Sequence, residues 1–347
     1  MSGERVLRSL AAAAALAPSG DNTQPWRFAF DEEAGRIDVF LDESRDTSPM
    51  NAGQRMARIA LGAAVENLLR EARSRGLAAT LERAAPPALA SVRVPSGAGD
   101  GPGDPALTER ITNRRPYDRR AVSGDVLGRL ASSTAPLDGV TTHWITGRDR
   151  VAALAALIGR ADAAMFAAPA MLPAFLHNVR FDVPPAAAVT EGLSTGSLEL
   201  STVDRFLLPL LPHLPNGLLR AAGAFRMMGA RSRKLLASSS GLCLVVAPDG
   251  APATDLTVGR AMQRAWLALT EAGLAAQPMM SLLVLENAVD HGLDLPGLAA
   301  NTLAPLRDAL RALAPEIAGR RPATLMRFGH APPPSARVGR RPVGAVP

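Results

Sequence analysis

Pro18-Ser19-Gly20-Asp21-Asn22-Thr23-Gln24-Pro25-Trp26 is the stretch on which the fold of this chain turns. Small hydroxyl and amide side chains stand between two prolines. They make a stiff loop with many hydrogen-bonding groups, suited to the edge of a polar heterocycle. An ordinary capped turn asks for the same residues. Trp26 anchors the strand that follows, Arg27 to Phe30, and a turn at Glu33 to Gly35 leads to a second strand, Ile37 to Leu41. Upstream, Val6 to Ala15 reads as a helix ending before Pro18. Arg5, Arg8 and the segment Leu10 to Ala17 share the outline of a weak signal peptide, but so alanine-rich a segment is barely apolar.

Two other clusters carry chemistry. In Arg110-Ile111-Thr112-Asn113-Arg114-Arg115-Pro116-Tyr117, residues Arg110, Thr112 and Arg114 alternate, so an extended backbone sets them on one face. Two guanidinium groups and a hydroxyl there suit a phosphate, although a solvated basic linker has the same composition. Near the C-terminal end, Arg337, Arg340 and Arg341 lie among Gly and Pro, and alone they read as a basic tail.

Between these clusters, a long helix is predicted from Gln54 to Arg75, stopping at Gly76. Leu81 to Val94 holds another strand, and residues 96–106 form a linker rich in Gly, Pro and Asp. Further helices are expected at Ser123 to Ser132, Val151 to Met165 and Val258 to Ala272, with strands at Thr142 to Ile145, Gly241 to Ala247 and Ala323 to Phe328. Residues 184–236 look like an insertion. The chain divides into residues 1–95 and 107–347, and the halves look alike. Ser2-Gly3-Glu4 with Val6-Leu7 resembles Ser123-Gly124-Asp125 with Val126-Leu127. Ala17-Pro18 and Trp26 match Ala135-Pro136 and Trp144. Gly62, then Gly76-Leu77-Ala78-Ala79, matches Gly259, then Gly273-Leu274-Ala275-Ala276, at one offset.

Composition narrows the function. The 347 residues carry a net charge of +6, and every basic residue except Lys234 is arginine. These arginines are dispersed, with no basic block interleaved with aromatics, so nucleic acid is not an expected partner. Cys243 is the only cysteine and lies in an apolar run, which leaves no intrachain disulfide and no cysteine zinc site. No metal-ligand spacing of histidines is present. The apolar stretch Phe206 to Met228 is interrupted by Pro209, Pro212, Pro215 and Arg220, too broken to span a bilayer, so no membrane partner is expected and the cytoplasm is the default compartment.

Taken together, the clusters resemble the nitroreductase family of FMN-dependent enzymes. The loop Pro18 to Trp26 resembles that family's Pro-Ser-x-x-Asn-x-Gln-Pro-Trp pattern, and Arg110 to Arg114 its Arg-x-Ser-x-Arg flavin-phosphate motif. The order is reversed from ordinary members, as in the two-repeat branch typified by the Acg protein of mycobacteria. Leu41-Asp42 with Arg45, and Leu61-Gly62-Ala63-Ala64-Val65-Glu66-Asn67-Leu68, also look like that branch. The resemblance spans most of the chain. It implies an α+β, nitroreductase-like fold, with one polypeptide imitating the family's homodimer as a monomeric pseudo-dimer.

By position, the resemblance assigns Arg110, Thr112, Asn113 and Arg114 to the phosphate and ribityl end of FMN, and Pro18, Ser19, Asn22 and Gln24 to the flavin from the other half. Pro278, Met279, Met280 and Ser281 fall where the family lines the isoalloxazine edge. Arg340 and Arg341 fall where C-terminal basic residues grip the phosphate. NAD(P)H would reduce the flavin, which would pass electrons to a small organic acceptor in ping-pong fashion. No side-chain nucleophile or general base is expected. Two departures stand out: Met280-Ser281 replaces an acidic-glycine pair, and Asp21 stands where the branch often has His. The first half has no arginine motif of its own, so one flavin per chain is expected. The alternative is a protein that sequesters FMN beneath a lid made by residues 184–236.

Overall fold

The computed structural model describes residues 3–344, apart from 96, 98, 294 and 296–301. Ser2 and parts of the predicted linker and tail therefore lie outside the described residues.

Two four-stranded antiparallel sheets organise the chain. The first contains β1 (Trp26–Asp31), β2 (Arg36–Leu41), β3 (Thr80–Glu82) and β4 (Ala90–Arg93), in the order β1-β2-β4-β3. The second contains β5 (Thr141–Ile145), β8 (Gly241–Ala247), β9 (Ala275–Pro278) and β10 (Arg321–Gly329), in the order β5-β8-β10-β9. Taken in chain order, the strands of the two sheets occupy the same positions. A small parallel pair, β6 (Val179–Arg180) and β7 (Leu193–Ser194), lies apart.

The helices follow the same plan. Helix α1 (Gly3–Ala14) precedes β1, and α4 (Gly124–Ser133) precedes β5, capped by the Ser123 hydroxyl, which accepts from the Val126 amide. Helix α2 (Arg55–Ser74) joins β2 to β3, and α10 (Pro252–Glu271) joins β8 to β9. The second half adds α5 (Arg148–Ala167), α6 (Met171–His177), α7 (Thr202–Leu207), α8 (Asn216–Ala221) and α9 (Ala224–Ala237) between β5 and β8. It adds α11 (Ser281–Asp290) and α12 (Leu303–Leu313) between β9 and β10, and α3 (Pro105–Glu109) precedes its arginine cluster.

Strand chemistry explains the sheets. In β2, Ile37 and Val39 are buried while Arg36 and Asp38 pair at the surface, the alternation of a one-sided strand. The central strand β8 is buried at every residue, Cys243 included. Residues 81–94, expected as one strand, form two, β3 and β4, because Pro86 and Pro87 cannot donate to a ladder. Helix α10 begins at Pro252, earlier than expected, with proline in the first turn where its missing N–H is harmless.

Helices α2 and α10 meet at their glycines. A Cβ placed on Gly62 would collide with the Leu256 carbonyl, and one on Gly259 with the Ile59 carbonyl. The contact is reciprocal: residues 59 and 256 are related by the same 197-residue offset as Arg58 and Asp255, and as the glycines themselves. Glu66 meets Arg264 at 2.6 Å, and the reciprocal pair, Gln263 to Asn67, is hydrogen-bonded at 2.7 Å. An interface in which residue i meets j′ and j meets i′ is what two-fold symmetry produces. No single helix among the described residues is long and apolar enough to cross a membrane; α5 and α6 together reach that length only across an 89° bend.

Candidate functional site

The loop before β1 is held in an uncommon backbone. Asp21, Asn22 and Gln24 all have positive φ, at 45°, 59° and 53°, which costs on the order of 1 kcal/mol each and persists only when the surroundings enforce it. Asn and Asp tolerate this region best. Internally, the Gln24 amide donates to the Ser19 hydroxyl at 3.0 Å. Externally, the Asn22 side-chain amide donates to Thr190 O and Gly339 O, and that of Gln24 to Thr190 O at 2.7 Å. The loop thereby ties together the insertion and the C-terminal tail.

Arg110 to Arg114 runs beside β9. Thr112 bridges Ala276 in parallel, and the Asn113 amide donates to Ala276 O at 3.0 Å. The extended backbone turns Arg110, Thr112 and Arg114 one way and Asn113 the other. Arg327, fully buried, holds the stretch from behind by donating to Asn113 O and Arg115 O and stacking 3.9 Å from the Tyr117 ring.

The three clusters converge on one polar cavity of about 80 Å³. Pro18, Ser19, Asp21 and Asn22 line it from the first half, and Arg110, Ile111, Thr112 and Arg114 from the second. The insertion adds Leu193 and Ser197, and the tail adds Arg337 and Arg340. Four guanidinium groups thus face one carboxylate.

The basic groups are held mainly by backbone carbonyls. Arg110 donates to Leu16 O and Arg340 to Leu16 O and Ala17 O, just past the C-terminal end of α1, where the helix dipole is negative. Arg110 also lies 4.6 Å over the Trp266 ring. Arg114 donates to Ser197 O. The Nε atoms of Arg110 and Arg340 are buried without a partner. Burial, then the neighbouring Arg340 and Arg337, pushes the Arg110 guanidinium down to about 9, and burial pushes Arg340 down to about 10. Arginine does not shed its proton in proteins, so the consequence of this stress is attraction for an anion.

Asp21 answers in the opposite sense. Burial raises its carboxyl from 3.8 to about 6, against the lowering effects of the Asn178 amide and Arg114. Asp46 is raised to about 6 by burial as well, with Asp21 adding to the shift. The folded state therefore binds these protons more tightly than the unfolded chain. Stability falls as pH rises from about 4 to about 6, and the cost is fully present above that. Asp21→Asn keeps the tolerated backbone and imitates the protonated form. It is expected to raise the melting temperature at pH 7 and to leave it unchanged at pH 4. An equal shift at both pH values would show that Asp21 is not the titrating group.

Not every predicted site residue reaches the cavity. Gln24 sits one layer behind it, and Arg341 is spent on the Gln24 carbonyl and Glu191. Asn113 turns away, its amide donating to Pro332 O. Pro278 to Ser281 leave β9 and enter α11, where the Met279 amide pairs with Leu325 O, and none of the four lines this cavity. Conversely, Trp266, the Leu16 and Ala17 carbonyls and Thr190 were not anticipated. Only Trp266, one of three tryptophans, had a sequence signal.

No protein-family model matches the sequence. The chain is 27% identical over 348 aligned positions to the uncharacterized protein MT1398 of Mycobacterium tuberculosis (strain CDC 1551 / Oshkosh), covering 97% of this chain and 47% of that protein. It thus spans about half the length of the curated relative it matches. Among solved structures, it is similar to the FMN-dependent nitroreductase NfnB from Mycobacterium smegmatis in complex with NADPH, with 16% identity, a TM-score of 0.33, and coverage of 65% of this chain and 86% of that one. At that score the likeness does not establish a common fold.

Proposed function

We propose that the cavity takes the phosphate of one FMN per chain and that the protein is an NAD(P)H-dependent oxidoreductase of nitroreductase type. The observation that carries this reading is the cluster Arg110, Arg114, Arg337 and Arg340 around one small cavity, with two buried Nε atoms lacking acceptors. A phosphoryl group supplies acceptors in the geometry guanidinium groups match. Small-molecule sites occupy about 300–1,000 Å³, so a cavity of about 80 Å³ suits a phosphoryl group and not three fused rings. The rings would need space outside this cavity.

In this reading the two sheets, with matching strand order and the reciprocal α2–α10 contact, are a pseudo-dimer of the two-repeat, Acg-like kind. FMN held there would supply the hydride- and electron-transfer chemistry linking NADH or NADPH to a small organic acceptor. The chain's own residues do other work: the arginines anchor, and the strained loop positions Ser19 and Asn22.

A second reading has its own support. Leu193 and Ser197 of the insertion form part of the cavity wall, and Thr190 is clasped by Asn22 and Gln24. A cover so placed suits an FMN-sequestering protein. Anaerobic addition of NADPH or NADH to the FMN-loaded protein separates the two. Bleaching of the visible band, then reoxidation by a quinone or nitroarene, is the result expected of an enzyme; a yellow protein that does not bleach is a store. A chain that takes up no FMN sinks both.

A further inference from the structure

The insertion presents an apolar surface to solvent. Val203, Phe206, Leu207 and Leu210 recur at three- and four-residue spacing along α7 and the helical turn that follows it, so they share one side, and exposed Leu214 follows that turn. Phe206 is 72% exposed and Val203 63%. The inward residues of the same segment, Leu208, Leu211, Leu219 and Phe225, pack on a core with Leu172 and Leu176. Residues that point outward are therefore not serving that core. Helix α9 is clamped to α5 where Gly229 meets Gly159, leaving Met227, 69% exposed, beside exposed Arg226. Soluble surfaces scatter large apolar side chains singly; a run of them marks a binding surface.

Charge selects the partner. Asp204 is the one carboxylate between residues 202 and 237, and Arg231 neutralises it at 2.7 Å. Arg226, Arg233 and Lys234 lie exposed on α9, the helix that carries Met227 and that reaches α7 through the Arg231–Asp204 pair. Apolar residues flanked by cations, on helices too short and proline-broken to span, are the composition of a segment that lies in a membrane interface. A second copy docking here would bring like charges together. We propose that residues 202–234 form a surface that seats on anionic phospholipid bilayers, independently of whether the cavity binds flavin.

Flotation of the full chain with phosphatidylcholine vesicles, and with vesicles of equal parts phosphatidylcholine and phosphatidylglycerol, tests this. Binding is expected to the mixed vesicles only, and to fall as salt is added. Phe206→Ser/Leu210→Ser should abolish it. Arg226→Gln/Lys234→Gln should weaken it roughly tenfold or more. Unchanged thermal melts of both variants would show that the fold is retained. Failure to float with the mixed vesicles, or equal flotation of the Phe206 variant, overturns the proposal. So does a lipid-free dimer that the Phe206 variant loses, which would assign the face to a second copy.

Discussion

Replacing Arg110 and Arg114 together by alanine is expected to weaken FMN binding by roughly a hundredfold to ten-thousandfold. Hydrogen bonds to charged groups contribute about 1.5–3 kcal/mol each, and every 1.4 kcal/mol is about tenfold in affinity. The effect should be large because both guanidinium groups are already positioned. Arg110 is fixed between the Leu16 carbonyl and the Trp266 ring, and Arg114 by Ser197 O. The same reasoning predicts an opposite effect on the flavin-free protein. A buried cation with a partnerless Nε is destabilising, and an apolar side chain of similar length is not. Arg110→Met should therefore raise the melting temperature without flavin while weakening FMN binding. Titration of the apoprotein with FMN measures the first effect and calorimetry the second. Full FMN retention by the double variant would refute the phosphate assignment. A lower melting temperature for Arg110→Met would show that the site has no unmet need for an anion.

Gly259→Val, or Gly62→Val, should destabilise the whole protein by about 3–5 kcal/mol, with a fall in melting temperature on the order of 10 °C. A Cβ at either position meets backbone, 3.0 Å or less from the facing glycine Cα and closer still to a carbonyl. Neither partner can rotate away, so the helices must separate, and that strains the buried pair Arg55–Asp255 and the half-buried pair Glu66–Arg264 on either side. Gly128→Ala is the contrast. It lies within α4, a Cβ there meets nothing within 4 Å, and helix propensity alone predicts a gain of about 0.5–1 kcal/mol. Thermal denaturation followed by circular dichroism reads all three. A glycine variant at the crossing that melts like wild type would mean that α2 and α10 do not pack this closely.

The features legible in the sequence were those set by local chemistry. Helix α2 showed its periodicity and its glycine stop, and β8 its unbroken apolar run. The alternation of Arg110, Thr112 and Arg114 was legible because an extended backbone fixes which residues share a face. That Asn113 faces away follows from the same rule. What was hidden depends on which distant backbone comes near. Asn22 and Gln24 are legible as a hydrogen-bonding loop, but their shared partner, Thr190 O, lies about half the chain away and no local pattern points to it. Residues 278–281 carry no local signal of where they lie: they pass from the end of β9 into α11, outside the arginine-lined cavity. The division of residues 81–94 into β3 and β4 was foreshadowed by Pro86-Pro87, and the early start of α10 by Pro252, both signals that apolar periodicity alone passes over.

The cavity is assembled from positions near 20, 110, 195 and 340, with Arg340 donating to carbonyls at the end of the first helix. A chain cut before residue 320 would keep the residues of α1, both helices of the glycine crossing and the first sheet, yet it would lose β10, which lies between β8 and β9, together with one wall of the cavity. The cavity thus reports on the docking of residues 336–340 against two distant segments, and not on the integrity of either sheet alone.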